Sequence, residues 1–303
     1  MVRTIPLALT AFFTVGVVTP LTAQSGYPAL GPDLPSSTRA MALGGAYVMD
    51  AGRADAVFRH PELLRGAGDM TLDLQRWGSA ASTASVSAAT SWFGGDLGVG
   101  VGVQTVQQTG NPGSDVDGPY AQDPMFVHGG IGISERAAVL GLSAALEEVD
   151  WGLSLRLTEA FVGVPGVDRY SDLELGFGAA REVGPVTVGA AYHDVLRSVS
   201  ELTVGVGGYG WELGFLDVGL SGRLDYYDAD IQVGGGLELG YWPIRGRTFI
   251  ARIGAQTTPD PTAARPFTFG FAYWGDALTV EWAFQPFDGM PESGTHRFSV
   301  GWR

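Results

Sequence analysis

The chain has 303 residues, a net charge of −14, 46 glycines and no cysteine. The lack of cysteine excludes disulfides, thiolate metal sites and a cysteine nucleophile. With 32 acidic residues against 18 basic ones, the chain has no basic surface to neutralise phosphates, so nucleic acid is not an expected partner. Abundant glycine beside 11% aromatic residues is typical of pleated strands rather than of disorder.

Residues 1–23 have the pattern of a cleaved secretory signal peptide. A positive start precedes an apolar run from Ile5 to Val18, and Ala23 offers a small residue at the cleavage point. This run is too short for a comfortable membrane-spanning helix. We expect an exported protein that begins near Gln24 and is either soluble or a membrane barrel.

Beyond residue 68, apolar residues alternate with polar or small ones, which is the period of a β-strand. Most of the segments exceed the average of about 5–6 residues for soluble strands and suit the roughly 9–11 needed to cross a bilayer. The expected fold is all-β, a transmembrane antiparallel β-barrel at 68–303. Its 14 predicted strands lie at 69–77, 82–92, 96–107, 137–147, 150–162, 172–181, 185–194, 201–209, 213–226, 230–242, 247–256, 266–275, 277–285 and 295–302.

The connections alternate between short and long, as expected for short periplasmic turns and longer outer loops. One short turn is predicted around 209–211, and a segment at 126–133 is assigned to the longest outer loop because a fifteenth strand would break the parity. Aromatic residues near strand ends suit two interfacial girdles, although strand propensity alone would also place them there. These are Trp77, Trp92, Tyr192, Trp211, Tyr226, Tyr227, Trp242, Trp274 and Trp302.

Charged residues within the predicted strands share the polar phase, which faces the lumen of a barrel. Arg76 is the main exception, and it lies near a strand end from which it can reach the interface. The residues in the polar phase are Asp73, Arg156, Glu174, Asp217, Arg223, Glu238, Arg252, Glu281 and Arg297. From these we single out Arg156, Arg223, Arg252 and Glu281 as lumen charges.

Residues 24–67 do not alternate. A Ser-Thr pair at 37–38 predicts the cap of a short helix that ends at Gly44, and a second short helix is expected at about 51–58. Because this segment is rich in small residues and precedes a strand with glycine on one face, we expect it to pack inside the barrel and narrow it.

The run RAMALGGAYVMDAGRADAVFRHPELL at 39–64 resembles the N-terminal signature of FadL-like outer-membrane proteins, closest to the PorV/PorQ branch. In that branch a Gly-Gly-Ala-aromatic stretch precedes an Asp-Ala segment and an Asn-Pro-Ala box, and here His60-Pro61-Glu62 replaces the box. The resemblance implies a 14-stranded barrel with its N-terminal segment folded into the lumen as a plug. Its signature positions in this sequence are Gly44, Gly45, Asp50, Asp55, His60 and Pro61.

The resemblance leaves two functions open. FadL-like members imply a conduit for small hydrophobic compounds, and PorV-like members imply a non-catalytic component of type IX protein secretion or surface assembly. Expected partners are outer-membrane lipid and either hydrophobic small molecules or secretion-system proteins.

No catalytic site, cofactor or metal is expected. The four histidines are far apart and lack metal-ligand spacing, and no G-x-S-x-G motif is present. His60 is the most singular polar residue, and the plainer interpretation is a plug residue that is hydrogen-bonded in the lumen.

The predicted strand 96–107 carries Gly98, Gly100 and Gly102 on its inward face. Glycine weakens strand packing and permits a bend, so a gap there would let an apolar ligand leave sideways into the membrane. The alternative is that these glycines only accommodate the plug.

Overall fold

The structure is a computed structural model. It describes residue 35 and residues 37–46, 49–77, 81–108, 133–162, 170–195, 201–227, 230–244, 247–257, 265–286 and 294–303. Of the segment 126–133, only the last residue lies within these ranges.

Fourteen antiparallel strands form a closed barrel in which each strand pairs with its neighbours in sequence. The first and last strands pair along eight residues, from Met70 opposite Trp302 to Trp77 opposite Thr295, and close the ring. The all-β prediction and the strand count are confirmed. The strands are β1 (Met70–Trp77), β2 (Ala81–Trp92), β3 (Leu97–Gln108), β4 (Ile133–Leu146), β5 (Val149–Val162), β6 (Tyr170–Val183), β7 (Val186–His193), β8 (Glu201–Leu213), β9 (Leu216–Tyr227), β10 (Asp230–Ile244), β11 (Arg247–Gln256), β12 (Phe267–Trp274), β13 (Leu278–Pro286) and β14 (Gly294–Trp302).

The turn predicted around 209–211 is wrong. Strand β8 continues to Leu213, and its pairing with β9 shifts register between Gly208 and Trp211. Gly210 has a φ of +73° in this irregularity. A glycine with positive φ occurs both in turns and in β-bulges, so the glycine at this position does not distinguish a turn from a bulge.

The two faces of the barrel wall differ in polarity, as the alternation of apolar and polar residues along the strands predicted. Leu153 and Phe271 are 50% and 60% exposed on the outer face, whereas Glu281 and Arg297 are each 1% exposed on the inner face. Arg76 is exposed and belongs to the outward phase of β1. Among the described residues, no helix combines the length and apolar character that a membrane crossing needs.

A short non-strand segment precedes β1. It contains the helix α1 (Thr38–Ala42) and two 3-10 turns, Ala54–Phe58 and Pro61–Leu64. The predicted cap is confirmed, because the Ser37 hydroxyl accepts a hydrogen bond of 3.1 Å from the amide of Ala40. The second predicted helix is a 3-10 turn, and the third element, which begins at Pro61, was not predicted.

We predict that Leu153→Arg, a charge on the outward face of β5, disfavours folding into lipid vesicles by about 2–4 kcal/mol. The free energy is measured by urea titration of the folded barrel. Leu146→Arg at the end of β4 is the matched control and should cost only about 0–1 kcal/mol, because a strand end reaches the interface. Equal costs at the two positions would contradict a lipid-facing β5.

Candidate functional site

The segment 37–67, called the plug below, crosses the inside of the barrel. Leu64 packs on the inner face of β4, Met49 on that of β8, and Met41 packs with Ala283 of β13. These three strands are spaced nearly evenly round the ring. The plug therefore touches the inner wall on all sides.

The beginning of α1 is held by a buried aspartate of β1. The hydroxyl and the amide of Thr38 donate to Asp73 Oδ1 at 2.7 and 3.2 Å. Arg297 of β14 lies 3.1 Å from the same carboxylate oxygen and also donates to the Pro35 carbonyl at 2.6 Å. The wall thus supplies both charges of this pair, and Thr38 and the Pro35 carbonyl add hydrogen bonds to it.

The predicted glycine pair ends α1 in a place where a side chain would not fit. Gly44 and Gly45 both have φ of +69°, a conformation that glycine adopts without strain. A Cβ on Gly44 would overlap the Ala255 carbonyl, and one on Gly45 would lie 2.9 Å from Arg223 Cζ. The hydroxyl of Thr268 accepts from the Gly44 amide at 2.9 Å. Both glycines therefore permit close approach of the plug backbone to β11.

Arg39 is the central plug residue, and it was not among the predicted site residues. It is 1% exposed and binds both carboxylate oxygens of Glu238, at 2.8 and 2.9 Å, while Asp50 lies 3.0 Å from its third nitrogen. Its guanidinium stacks 4.4 Å from the Tyr209 ring centroid and 4.9 Å from that of Trp274. The available signal was its position as the first residue of the signature.

The predicted lumen charges Arg252 and Glu281 extend this cluster. Arg252 lies 2.7 Å from Glu238 Oε2 and 3.1 Å from Glu281 Oε1. Arg53 of the plug lies 3.8 Å from Glu281 and 3.1 Å from the predicted Asp55. We call the residues Arg39, Asp50, Arg53, Asp55, Glu238, Arg252 and Glu281 the charged network.

Trp274 also belongs to the lumen, which corrects its assignment to an interfacial girdle. Its indole N–H donates to Glu281 at 2.9 Å. Its position near a strand end suggested the membrane interface. In β12, however, the side chain of Tyr273 faces outward and that of the next residue, Trp274, faces the lumen. Trp92 and Trp302, at 50% and 42% exposure, do lie on the outer surface.

Burial and neighbouring charges shift the pKa of Arg39 in the plug and of Asp69, which follows the plug. Burial alone would lower the pKa of Arg39, but Glu238 and Asp50 more than offset it, so the pKa is raised. Burial and the neighbouring Asp55 raise the pKa of Asp69, and Arg53 offsets only part of this shift. Asp69 accepts from the amide of Ala54 at 2.8 Å, just before β1 begins.

Three apolar side chains of the plug, Val57, Phe58 and Leu64, lie on the glycine face of β3. A Cβ on Gly98 would overlap the Leu64 carbonyl, one on Gly100 would lie 2.8 Å from the Leu64 side chain, and one on Gly102 would lie 2.6 Å from Phe58. Strand β3 pairs with β2 and β4 along its whole length without a register shift. The described residues therefore show these glycines accommodating the plug in a strand that stays paired on both sides.

His60 and Pro61 lie at the start of the second 3-10 turn of the plug. Pro61 begins the second 3-10 turn, and His60 Nδ1 lies 2.6 Å from Glu62 Oε1, with both side chains buried. Glu62 rests against Gly152 and Gly178, where any Cβ would collide with it. The plainer interpretation of His60, a hydrogen-bonded plug residue, agrees with this geometry.

The two remaining predicted lumen charges lie apart from the charged network. Arg223 pairs with Asp225 at 3.0 Å and contacts Gln256 at 3.4 Å. Arg156 lies 4.0 Å from Glu174, and nearby Arg59 of the plug pairs with Glu201 at 2.6 Å. The structure therefore brings Arg252 and Glu281 together and leaves Arg156 and Arg223 in separate pairs.

No family model matches the chain, and no curated protein matches it in sequence. Solved structures do match. The toluene transporter TbuX of Ralstonia pickettii has a TM-score of 0.58 at 12% identity, covering 88% of this chain and 98% of that chain. The toluene transporter TodX of Pseudomonas putida gives 0.57 at 10%, covering 86% and 95%. The monoaromatic hydrocarbon channel CymD gives 0.56 at 11%, covering 88% and 95%.

The chain shares the fold of these channels. At such identities the likeness concerns the fold alone, over nearly the whole length of each channel. It lends no support to a closer relation with the PorV/PorQ branch.

We predict that Arg39→Gln loosens the plug. Removing one partner of a buried ion pair costs about 3–5 kcal/mol, because the remaining charge stays buried. Ionic conductance in planar bilayers should therefore rise toward that of a variant lacking residues 25–66.

Arg65→Gln is the matched control for Arg39→Gln. Its pair with Asp150, at 2.5 Å, involves a side chain that is 37% exposed, so its loss should cost about 0–1 kcal/mol and leave conductance unchanged. A folded Arg39→Gln barrel with the conductance of the unmodified protein would show that the charged network does not hold the plug.

Proposed function

We propose that this chain is an outer-membrane channel that conducts small hydrophobic molecules, in the manner of FadL-like proteins, and that it is not an enzyme. The observation that carries the proposal is that the charged network and an apolar cluster of the plug lie on different sides of the lumen. The charged network lies toward β10–β13, whereas Val57, Phe58 and Leu64 form an apolar cluster with Val139 of β4.

This division favours one side of the lumen for an apolar ligand. Passing through the charged network would separate paired, buried charges, and each broken pair leaves an uncompensated ion. On the β3 side the wall presents a row of glycines, and the plug contacts them with Val57, Phe58 and Leu64. A hydrophobic molecule that displaces Phe58 or Leu64 exchanges one apolar contact for another.

The membrane location is supported by the outer surface. Apolar side chains such as Leu153, Phe177 and Phe271 are exposed along the strands, which is costly in water and favourable in lipid. Each of the 14 strands has a hydrogen-bonded neighbour on both sides, so the sheet leaves no open edge to the lipid. Export by a cleaved signal at 1–23 remains part of the proposal.

The fold likeness to TbuX, TodX and CymD supports a monoaromatic hydrocarbon as the first compound to test. Nothing in the structure or the comparisons favours the alternative role in type IX secretion.

The proposal is tested in cells that lack their own hydrocarbon channels. Expression should place a heat-modifiable protein in the outer membrane and raise the initial rate of radiolabelled toluene uptake several-fold over the empty vector. Outer-membrane protein without any gain in uptake of toluene or a longer hydrocarbon would refute the conduit. Recovery as a soluble periplasmic protein would refute the membrane location as well.

We predict further that Gly100→Leu blocks uptake. The new side chain would enter the space of Leu64 and fill the apolar side of the lumen. Toluene uptake should fall several-fold without a rise in ionic conductance, because the charged network is untouched.

Gly222→Leu is the control, since Gly222 belongs to the outward phase of β9 and a leucine there meets lipid. Heat-modifiable migration confirms that each variant is folded. Normal uptake in folded Gly100→Leu would mean that the ligand does not pass along β3. If Gly100→Leu does not fold, Phe58→Trp enlarges the plug side of the same contact and should give the same loss.

A further inference from the structure

A groove of about 740 Å³ lies on the outside of the barrel where β14, β1, β2 and β3 meet. The strand registers arrange its outward residues in two rows that run across the four strands. One row consists of Phe298, Leu74, Ala84 and Thr105, and the next, toward the end of β1, consists of His296, Arg76, Ser82 and Gln107. Every one of these eight residues lines the groove.

The first row is largely apolar. Leu74 and Phe298 are each 52% exposed and face each other across β1 and β14. Neighbouring strands lie about 4.8 Å apart, so four residues form a strip roughly 14 Å long. This strip has the length and character of a site for a hydrocarbon chain.

The second row is polar in all four positions, and all four residues are exposed. Arg76 carries up to five N–H donors in a planar fork that matches the oxygens of a phosphate. His296 accepts a hydrogen bond of 3.4 Å at Nδ1 from the indole N–H of Trp282. Ser82 and Gln107 add a hydroxyl and an amide.

The charges that line the groove favour an anionic occupant. The chain has a net charge of −14, yet none of the described residues that line this groove is acidic. The two rows are two residues apart along each strand, or about 7 Å, which is the separation of a lipid phosphate from the upper part of its chains. A soluble anion would use only the polar row and leave the apolar row without a partner.

We propose that this groove binds a phosphate-bearing lipid of the outer leaflet, with its phosphate on Arg76 and the polar row and an acyl chain along the apolar row. The inference rests on the membrane location within the proposed function, and it does not depend on transport. The height of the polar row in the wall agrees with this proposal. Arg76 is one residue from the end of β1, at the same end of the barrel as the connection 109–132, which is expected to be an outer loop.

Native mass spectrometry of the folded protein in a non-ionic detergent tests the proposal, with lipid A as the probe and fully dephosphorylated lipid A as the comparison. The unmodified protein should bind lipid A at least tenfold more tightly than the dephosphorylated form. Arg76→Gln should weaken lipid A binding about tenfold, which corresponds to about 1.4 kcal/mol. Binding of the dephosphorylated form should not change.

Arg247→Gln is the matched control, because Arg247 is exposed at the opposite rim and does not line the groove. It should leave lipid A binding unchanged. If Arg76→Gln does not fold, Ser82→Asp places a negative charge in the polar row and should weaken binding at least as much.

Equal loss in Arg76→Gln and Arg247→Gln would reduce the effect to general surface charge and overturn the site. Complete competition by millimolar inorganic phosphate would make it a soluble-anion site and overturn the lipid. Equal binding of lipid A and its dephosphorylated form would show that the phosphate is not recognised and would also overturn the proposal. Toluene uptake is measured separately, so failure of the conduit leaves these results intact, and the reverse also holds.

Discussion

A closed ring of 14 strands encloses more space than its own inward side chains fill. Smaller barrels of about eight strands pack their interior with side chains, and barrels of 16 strands or more leave an aqueous channel. The structure lies between these cases and fills the space with its own N-terminal segment. Most other features of the interior follow from that choice, above all the many inward glycines.

The second consequence concerns charge. Inward positions of a membrane barrel are polar, but a plug that excludes water removes the solvent that would stabilise isolated ions. Each wall charge near the plug therefore needs a partner, and for Glu238 and Glu281 the plug provides one. Glu238 receives Arg39, and Glu281 lies between Arg252 of the wall and Arg53 of the plug. Such pairs contribute little net stability, but they specify one position for the plug, since any shift separates them.

Much of the barrel was predictable because one physical signal determines it. Side chains alternate across a strand, so the apolar phase located the strands and the polar phase located the lumen. The same signal placed Arg252 and Glu281 correctly on the inner face. It failed at Gly210, where a bulge has the residue chemistry of a turn, and at Trp274, where proximity to a strand end was given more weight than phase.

The structure of the plug was harder to predict, because its sequence has no regular alternation of apolar and polar residues. Its resemblance to a known signature predicted its place in the lumen and singled out Gly44 and Gly45, but their close approach to the wall is visible only in the structure. The partners of Arg39 are Glu238, 199 residues away, and Asp50, and neither pairing leaves a pattern in the sequence. The outer groove was missed for a related reason: its rows are formed across four strands, and only the register aligns them.

The register also explains why the two sides of one wall have different roles. Residues of β1 alternate between Asp73, which holds α1 inside, and Leu74, which lines the outer groove. The next two residues repeat this alternation, because the Gln75 side-chain oxygen accepts a hydrogen bond from Arg297 in the lumen and Arg76 faces outward. Because successive residues of one strand face opposite sides, the plug and the surrounding lipid contact the same strands without sharing side chains. A change on the outer face of β1 can therefore alter lipid contacts while the plug keeps its partners.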